Sequence, residues 1–178
     1  MVADKITLER IKVLHPSIRK EVHDAYLYVN NKLLGKGVRL RFAHTLRTIA
    51  EQDALYAQGR TTKGPKVTNA KGGQSIHNYG LAIDIVLLLD KDGNGTFESA
   101  SWDTKADYDR DLTPDWMEVI NHFKAIGWEW GGDWKRFKDY PHIEKTFGNN
   151  WRTLKAKIDN QDFFTETIKS KIYKWANV

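Results

Sequence analysis

The chain has 178 residues, enough for one domain with a sizeable core, and its seven Trp, seven Tyr and seven Phe can fill that core despite a hydrophilic average. There is no Cys, which excludes disulfides, iron–sulfur clusters, thiolate zinc sites and a cysteine nucleophile; any metal must be held by His, Asp, Glu or backbone oxygen. The net charge of +5 is uneven, with 14 Lys and Arg against 6 Asp and Glu in residues 1–71 but 3 against 10 in residues 84–118.

That asymmetry fits a polyanionic partner, nucleic acid or anionic cell wall, and equally a solvated surface of mixed sign. The first ten residues have no apolar signal region, and no later run is long enough to span a bilayer. The expectation is a chain made in the cytoplasm, not inserted in a membrane, with any export by another route.

Ser17 reads as the N-cap of a helix running to about Leu34. Ile18, Val22, Ala25, Tyr26, Val29 and Leu33 recur at helical spacing, and Gly35 is a natural stop. His15 reads as a structural hydrogen-bonding partner. Val38, Leu40 and Phe42 alternate with Arg39 and Arg41, which predicts a half-exposed strand. Thr48-Ile-Ala-Glu51 matches a capping box, opening a helix that closes at Gly59. Arg47 precedes that cap at a strand-to-helix junction. It is a candidate for binding an anionic group, or else an ordinary surface arginine. Arg60 to Gln74 lacks periodicity and reads as a loop.

Ser75 to Asp84 then sets a histidine in a glycine-bearing loop and, seven residues on, an aspartate in an apolar run. Alternation places Ala82, Asp84 and Val86 on one face of a strand and Ile83, Ile85 and Leu87 on the other. An ionised carboxylate there is costly unless compensated. A bound cation with His77 as a second ligand would compensate it, as would an exposed edge position or an arginine partner.

Asp90, Asp92, Asn94 and Gly95 match positions 1, 3, 5 and 6 of an EF-hand calcium loop, but position 12 is Ser101, with Glu98 and Asp103 as nearby substitutes. A plain hairpin turn explains the same residues. Thr113-Pro114-Asp115 reads as N-cap, first-turn proline and dipole-matched acid. Trp116, Val119, Ile120, Phe123 and Ile126 form the apolar face of that helix, His122 is solvated, and Gly127 ends it. Trp128 to Trp134 is either a ligand platform or core. Asn150 to Ile158 reads as a helix and Lys171 to Val178 as a closing strand. There is no internal repeat and no second domain.

His142 completes a set with His77 and Asp84. Three protein ligands without thiolate leave zinc a fourth position, the catalytic rather than the structural arrangement. Asp139, three residues before His142, could reach a reacting water as general base.

Ser75, His77, Gly80, Ala82 and Asp84, with the downstream pair Asp139 and His142, resemble the motifs of the zinc D-alanyl-D-alanine peptidases, family M15. The Glu51-Gln52 helix ending in Leu-Tyr-Ala-Gln-Gly-Arg-Thr, and Trp-Gly-Gly-Asp-Trp before Asp139, resemble the peptidoglycan L-alanyl-D-glutamate endopeptidase branch, which includes phage endolysins. The similarity covers roughly residues 9–150, with three motifs in the same order. It implies an α+β fold with a small central antiparallel sheet flanked by helices; with the chain length and the residue patterns, the expectation is a single domain over residues 1–178, with an acidic insertion at about 90–112 and a C-terminal helix and strand at about 150–178. It implies zinc on His77, Asp84 and His142, Asp139 as catalytic acid/base, and Arg47 as the oxyanion-stabilising arginine. The usual Tyr-Arg-Ser context of that arginine is Leu46-Arg47-Thr48 here.

The expected protein is a monomeric zinc peptidase that cleaves the L-Ala–D-Glu bond of peptidoglycan stem peptides, without a nucleic-acid partner. The alternatives are a D,D-carboxypeptidase of the same family and a non-catalytic wall-binding module. Calcium-responsive endolysins of this kind add weight to the Asp90 loop as a calcium site.

Overall fold

The apolar run after Leu81 forms strand β2 (Ala82–Leu89) of the computed structural model, which describes residues 3–178. Ile83, Ile85 and Leu87 are fully buried, as alternation predicts, but Ala82, Val86 and Leu88 on the other face are buried too. A strand dry on both faces needs neighbours and cover on every side. β2 pairs antiparallel with β1 (Val38–His44) over most of its length, with β5 (His142–Glu144) at its start and with β3 (Ser99–Ser101) at its end. β4 (Glu129–Trp130) extends the sheet beyond β5. This register sets Asp84 directly between His44 of β1 and His142 of β5.

Helices α1 (Lys5–Ile11), α2 (Pro16–Tyr28) and α4 (Asp115–Ala125) contribute to one apolar core with the sheet. Phe42 of β1 meets Tyr26 of α2 and Phe123 of α4 edge-on, at centroid distances of 5.6 and 6.4 Å. Each such fully buried side chain contributes about 1.5–3 kcal/mol. Helices α3 (Ile49–Ala57) and α5 (Trp151–Asp159) begin at a Thr48–Glu51 capping box and at the Asn150 side chain. The molecule is a single α+β domain with a central antiparallel sheet. No described helix is long and apolar enough to cross a membrane.

Several sequence expectations need correction. The helix expected from Ser17 starts at Pro16, because the His15 side chain is its cap: Nδ1 accepts from Ser17 N at 3.2 Å. His15 Nε2 also lies 2.9 Å from the Ala176 carbonyl, the structural partnership expected of it. After Tyr28 the same helix widens into a π turn, Val29–Leu33, where buried Asn30 bonds the Tyr26 carbonyl and the Leu40 N–H. Thr113 is not an N-cap; Pro114 occupies that position without a side-chain bond. His122 is half-buried, stacked on Tyr28 at 4.8 Å, rather than solvated. Helix α1 and strand β6 (Phe163–Ile168) were not expected. β6 forms a separate hairpin with β7 (Lys171–Ala176); none of its side chains is fully buried, and its sequence carries no period-two pattern to reveal it.

Asp4 joins α1 to the sheet. Its carboxylate caps α1 through Thr7 N at 3.0 Å, accepts the Thr7 hydroxyl at 2.7 Å, and receives the Arg41 fork at 3.0 and 2.7 Å. Burial alone would raise its pKa, but the Arg41 and Thr7 bonds lower it from 3.8 to about 2. A carboxylate depressed in the folded state stabilises the fold above its unfolded pKa, and that contribution is lost as pH falls through the folded value. Asp4→Asn will therefore cost about 2 kcal/mol at neutral pH and flatten the loss of stability between about pH 4 and pH 2. Urea unfolding at pH 7, 4 and 2 measures both effects; equal pH dependence in the two proteins would refute the assignment.

Candidate metal centre

His77 sits on a 3-10 turn, Ile76–Tyr79, framed by a Ser75–Asn78 capping box and ended by Gly80 at φ 69°. A Cβ on Gly80 would lie 2.8 Å from the Trp175 ring and 2.9 Å from His15 N, so only glycine fits this left-handed position. The turn is tied to the strand-to-helix junction before α3. Arg47 N donates to the His77 carbonyl at 3.0 Å, and Asn78 Nδ2 donates to the Arg47 carbonyl at 2.9 Å. Sheet pairing brings His142, 58 residues after Asp84, alongside it.

The three sequence-predicted ligands converge. His77 Nε2 lies 3.1 Å from Asp84 Oδ1 and 3.2 Å from His142 Nδ1, and His142 Nδ1 lies 3.3 Å from Asp84 Oδ1. The outer ring nitrogens determine what the inner ones can offer. His77 Nδ1 faces the Thr45 carbonyl at 2.6 Å and His142 Nε2 faces Glu144 Oε2 at 2.8 Å. Both partners accept only, so each outer nitrogen carries the hydrogen. In neutral histidines, both inner nitrogens then present lone pairs toward a carboxylate oxygen. Three acceptors this close repel unless a proton or a cation lies between them. The donor set fits a metal, with the outer N–H groups held as ligating histidines usually are.

The electrostatics agree. Burial raises the Asp84 pKa, but the two histidines outweigh it and hold the carboxylate below the usual range. Burial lowers His142, but Asp84 and Glu144 outweigh it and push it up to about 9.

Arg47 and Asp139 join the group. Arg47 Nη2 is 3.5 Å from Asp84 Oδ2, and Nη1 donates to Gln52 Oε1 at 2.9 Å. Asp139 lines the same groove, about 940 Å³ in volume, with Arg47, Asp84 and both histidines. Its carboxyl is pushed above the usual range, by desolvation first and by Asp84 among its neighbours, against the pull of His142 and His77. Asp139 N donates to the Gly131 carbonyl at 3.1 Å, and its own carbonyl accepts from His142 N at 3.2 Å. A Cβ on Gly131 would lie 2.4 Å from the Asp139 carbonyl oxygen, so the close approach requires glycine.

Sequence reasoning missed three supports: Glu144 behind His142, the Thr45 carbonyl behind His77, and buried Gln52, which holds Arg47 while donating to the Ala70 carbonyl at 2.8 Å. Glu144 could have been found by its period-two offset from His142 in one strand. Nothing local marks a backbone carbonyl. The Trp128–Trp134 stretch divides: Trp128 is core, whereas the Trp134 ring lies 5.2 Å from the His142 ring and lines the groove. Asp90, Asp92 and Asn94 lie apart from this site, in the connection between β2 and β3; oxygens of Asp90, Asp92 and Glu98 lie within 4.8 Å of one another.

The chain is similar to known proteins in the region that carries this site. A family profile of peptidase M15, described as D-alanyl-D-alanine carboxypeptidase, matches residues 68–145. The peptidoglycan L-alanyl-D-glutamate endopeptidase CwlK of Bacillus subtilis is 47% identical over 131 residues, 74% of this chain and 72% of that protein. The L-alanyl-D-glutamate peptidase of Listeria phage A118 is 25% identical over 140 residues, 74% of this chain but only 42% of the phage protein. The crystal structure of the L-Ala D-Glu endopeptidase ChiX of Serratia marcescens shares the fold, with a TM-score of 0.52 at 21% identity over 80% of this chain and 88% of that one. The profile match encloses His77, Asp84, Asp139 and His142, and the identity to CwlK extends over three quarters of the molecule: the chain belongs to peptidase family M15.

Proposed function

We propose that this protein is a zinc-dependent endopeptidase that hydrolyses the amide bond between L-Ala and D-Glu in peptidoglycan stem peptides. The observation that carries this reading is the His77–Asp84–His142 acceptor cluster in an open groove, flanked by a carboxylate and a guanidinium. Zinc held by these three side chains would supply Lewis acidity toward the scissile carbonyl and lower the pKa of a water. Asp139 takes the proton of the attacking water and delivers it to the leaving amine, for which a raised carboxyl pKa is suited. Arg47, steadied by Gln52, donates N–H groups to the carbonyl oxygen as negative charge develops there. Glu144 and the Thr45 carbonyl keep the two imidazoles in their ligating tautomers. The groove takes the peptide, and the wall is reached after release or export.

The choice of bond rests on the named activity of the 47% identical relative. The family profile's own description favours a second reading, release of terminal D-Ala. Mass analysis of digested stem peptides separates the two. A new L-Ala carboxyl end is the expected product, whereas loss of a single D-Ala would establish the carboxypeptidase instead. Walls that bind the protein and yield no new ends would leave only a binding module.

A further inference from the structure

The acidic segment before α4 contains a pattern that the peptidase site does not use. Counted from Asp107, positions 1, 3, 5, 9 and 12 are Asp107, Asp109, Asp111, Asp115 and Glu118, with Thr113 at position 7. These are the positions from which an EF-hand loop draws its oxygen ligands, position 7 through its backbone carbonyl and position 12 through a bidentate glutamate. Position 6, normally glycine, is Leu112; it adopts φ 80° with its side chain 93% exposed. Helix α4 begins at position 9 and carries Glu118 in its first turn, where the exit helix of such a loop begins.

The carboxylates form one connected cluster. Oxygens of Asp107, Asp109 and Asp111 lie within 4.8 Å of one another, as do those of Asp109, Asp115 and Glu118, so Asp109 belongs to both sets. Most of these oxygens accept backbone N–H groups. Asp107 takes those of Arg110, Asp111 and Leu112, Asp109 that of Gly35, and Asp115 Oδ2 that of Tyr108. The exceptions point to a missing partner. Asp115 is fully buried, yet its Oδ1 has no hydrogen-bond partner, and Glu118 Oε2 is likewise buried and unpartnered. Each of the two residues has an oxygen within 4.8 Å of an Asp109 oxygen, which adds only negative charge. A buried carboxylate oxygen without a partner is costly, and a cation compensates it.

We propose that residues 107–118 bind one calcium ion, held by Asp107, Asp109, Asp111, Asp115, Glu118 and the Thr113 carbonyl. Five carboxylates and a carbonyl are hard donors in a number that suits calcium, not the octahedral, water-keeping preference of magnesium or the nitrogen-rich set of zinc. The carboxyls register the conflict when no cation is present. Burial and the charges of Asp109 and Asp107 push Asp115 up to about 6, and burial with Asp111 and Asp109 pushes Glu118 up to about 7. The upstream loop of Asp90, Asp92 and Asn94 has only the first half of the pattern. Asp90 Oδ1 is buried and unpartnered there too, but position 12 is Ser101, whose hydroxyl is engaged with Tyr108 at 2.8 Å, and Asp92 and Glu98 are exposed.

The test uses the full chain, freed of divalent ions on a chelating resin, reloaded with one equivalent of zinc and titrated calorimetrically with calcium chloride. The wild type binds calcium, and Glu118→Gln, which keeps the shape and removes the charge, weakens that binding at least about tenfold. Because the amide mimics the protonated acid that the calcium-free cluster favours, Glu118→Gln raises the calcium-free melting temperature while abolishing most of the calcium-induced upward shift. Asp92→Asn leaves both quantities unchanged. If the wild type binds two calcium ions and Glu118→Gln one, the assignment stands. Absence of calcium binding at millimolar concentration, or binding that Asp92→Asn removes and Glu118→Gln does not, overturns it.

Discussion

His77→Ala, Asp84→Ala and His142→Ala proteins will each bind zinc more than about 100-fold more weakly than the parent and release no new ends from peptidoglycan. The size of the effect follows from the geometry. The three candidate ligand atoms lie within 3.3 Å of one another, and among the described residues no fourth His or carboxylate belongs to the cluster. Outer partners of such ligands typically contribute 10–100-fold in metal affinity, and a direct ligand contributes more. Glu144→Ala provides the contrast. It removes only the acceptor of the His142 Nε2 hydrogen, and its loss of affinity falls within that 10–100-fold range. Elemental analysis after dialysis, chelator competition and near-UV circular dichroism together measure metal content, affinity and retained fold. A folded Asp84→Ala protein with stoichiometric zinc and parental turnover would end the ligand assignment.

The second large effect separates metal binding from turnover. Asp139→Ala will retain one zinc per chain and lose about 10²–10⁴-fold in kcat, the usual contribution of a positioned general acid or base. Asp139 contributes no atom to the three-ligand set, and its placement depends on backbone bonds to Gly131 and His142 that alanine keeps. The proposed metal site should therefore survive a substitution that removes the proposed proton acceptor. KM should move little, because the lost interaction belongs to the reacting atoms rather than to substrate capture. Full activity in Asp139→Ala would show that another group moves the proton. Parallel loss of zinc would show that Asp139 supports the metal instead.

Much of the scaffold was legible because its signals are local. The alternation of β2, the Thr48–Glu51 capping box and the apolar face of α4 lie within single elements, and the structure places each where the pattern predicts. Boundaries were less legible where a side chain acts outside its own element. The imidazole of His15 caps α2 because its other nitrogen is held by Ala176 at the far end of the chain. In the acidic segment, Gly95 marks the Asp90 loop, since glycine is the familiar sign of a tight calcium turn. The fuller pattern downstream was hidden because Leu112 takes the glycine position.

By itself the sequence determined which chemistry was available: no thiolate, two histidines and a strand aspartate of the right kind, and the fold class that their motifs imply. Residue type and short-range periodicity suffice for that. Only the tertiary structure decided that Asp84 is flanked by His44 and His142, that Glu144 and Thr45 orient the two imidazoles, and that Arg47 points at the same carboxylate. It also decided that one oxygen of buried Asp115, Oδ1, has no partner while Asp92 stays in water. Strand pairing across tens of residues and the removal of water from a carboxylate are properties of the packed molecule. No local pattern records either one, because neither exists until the segments meet.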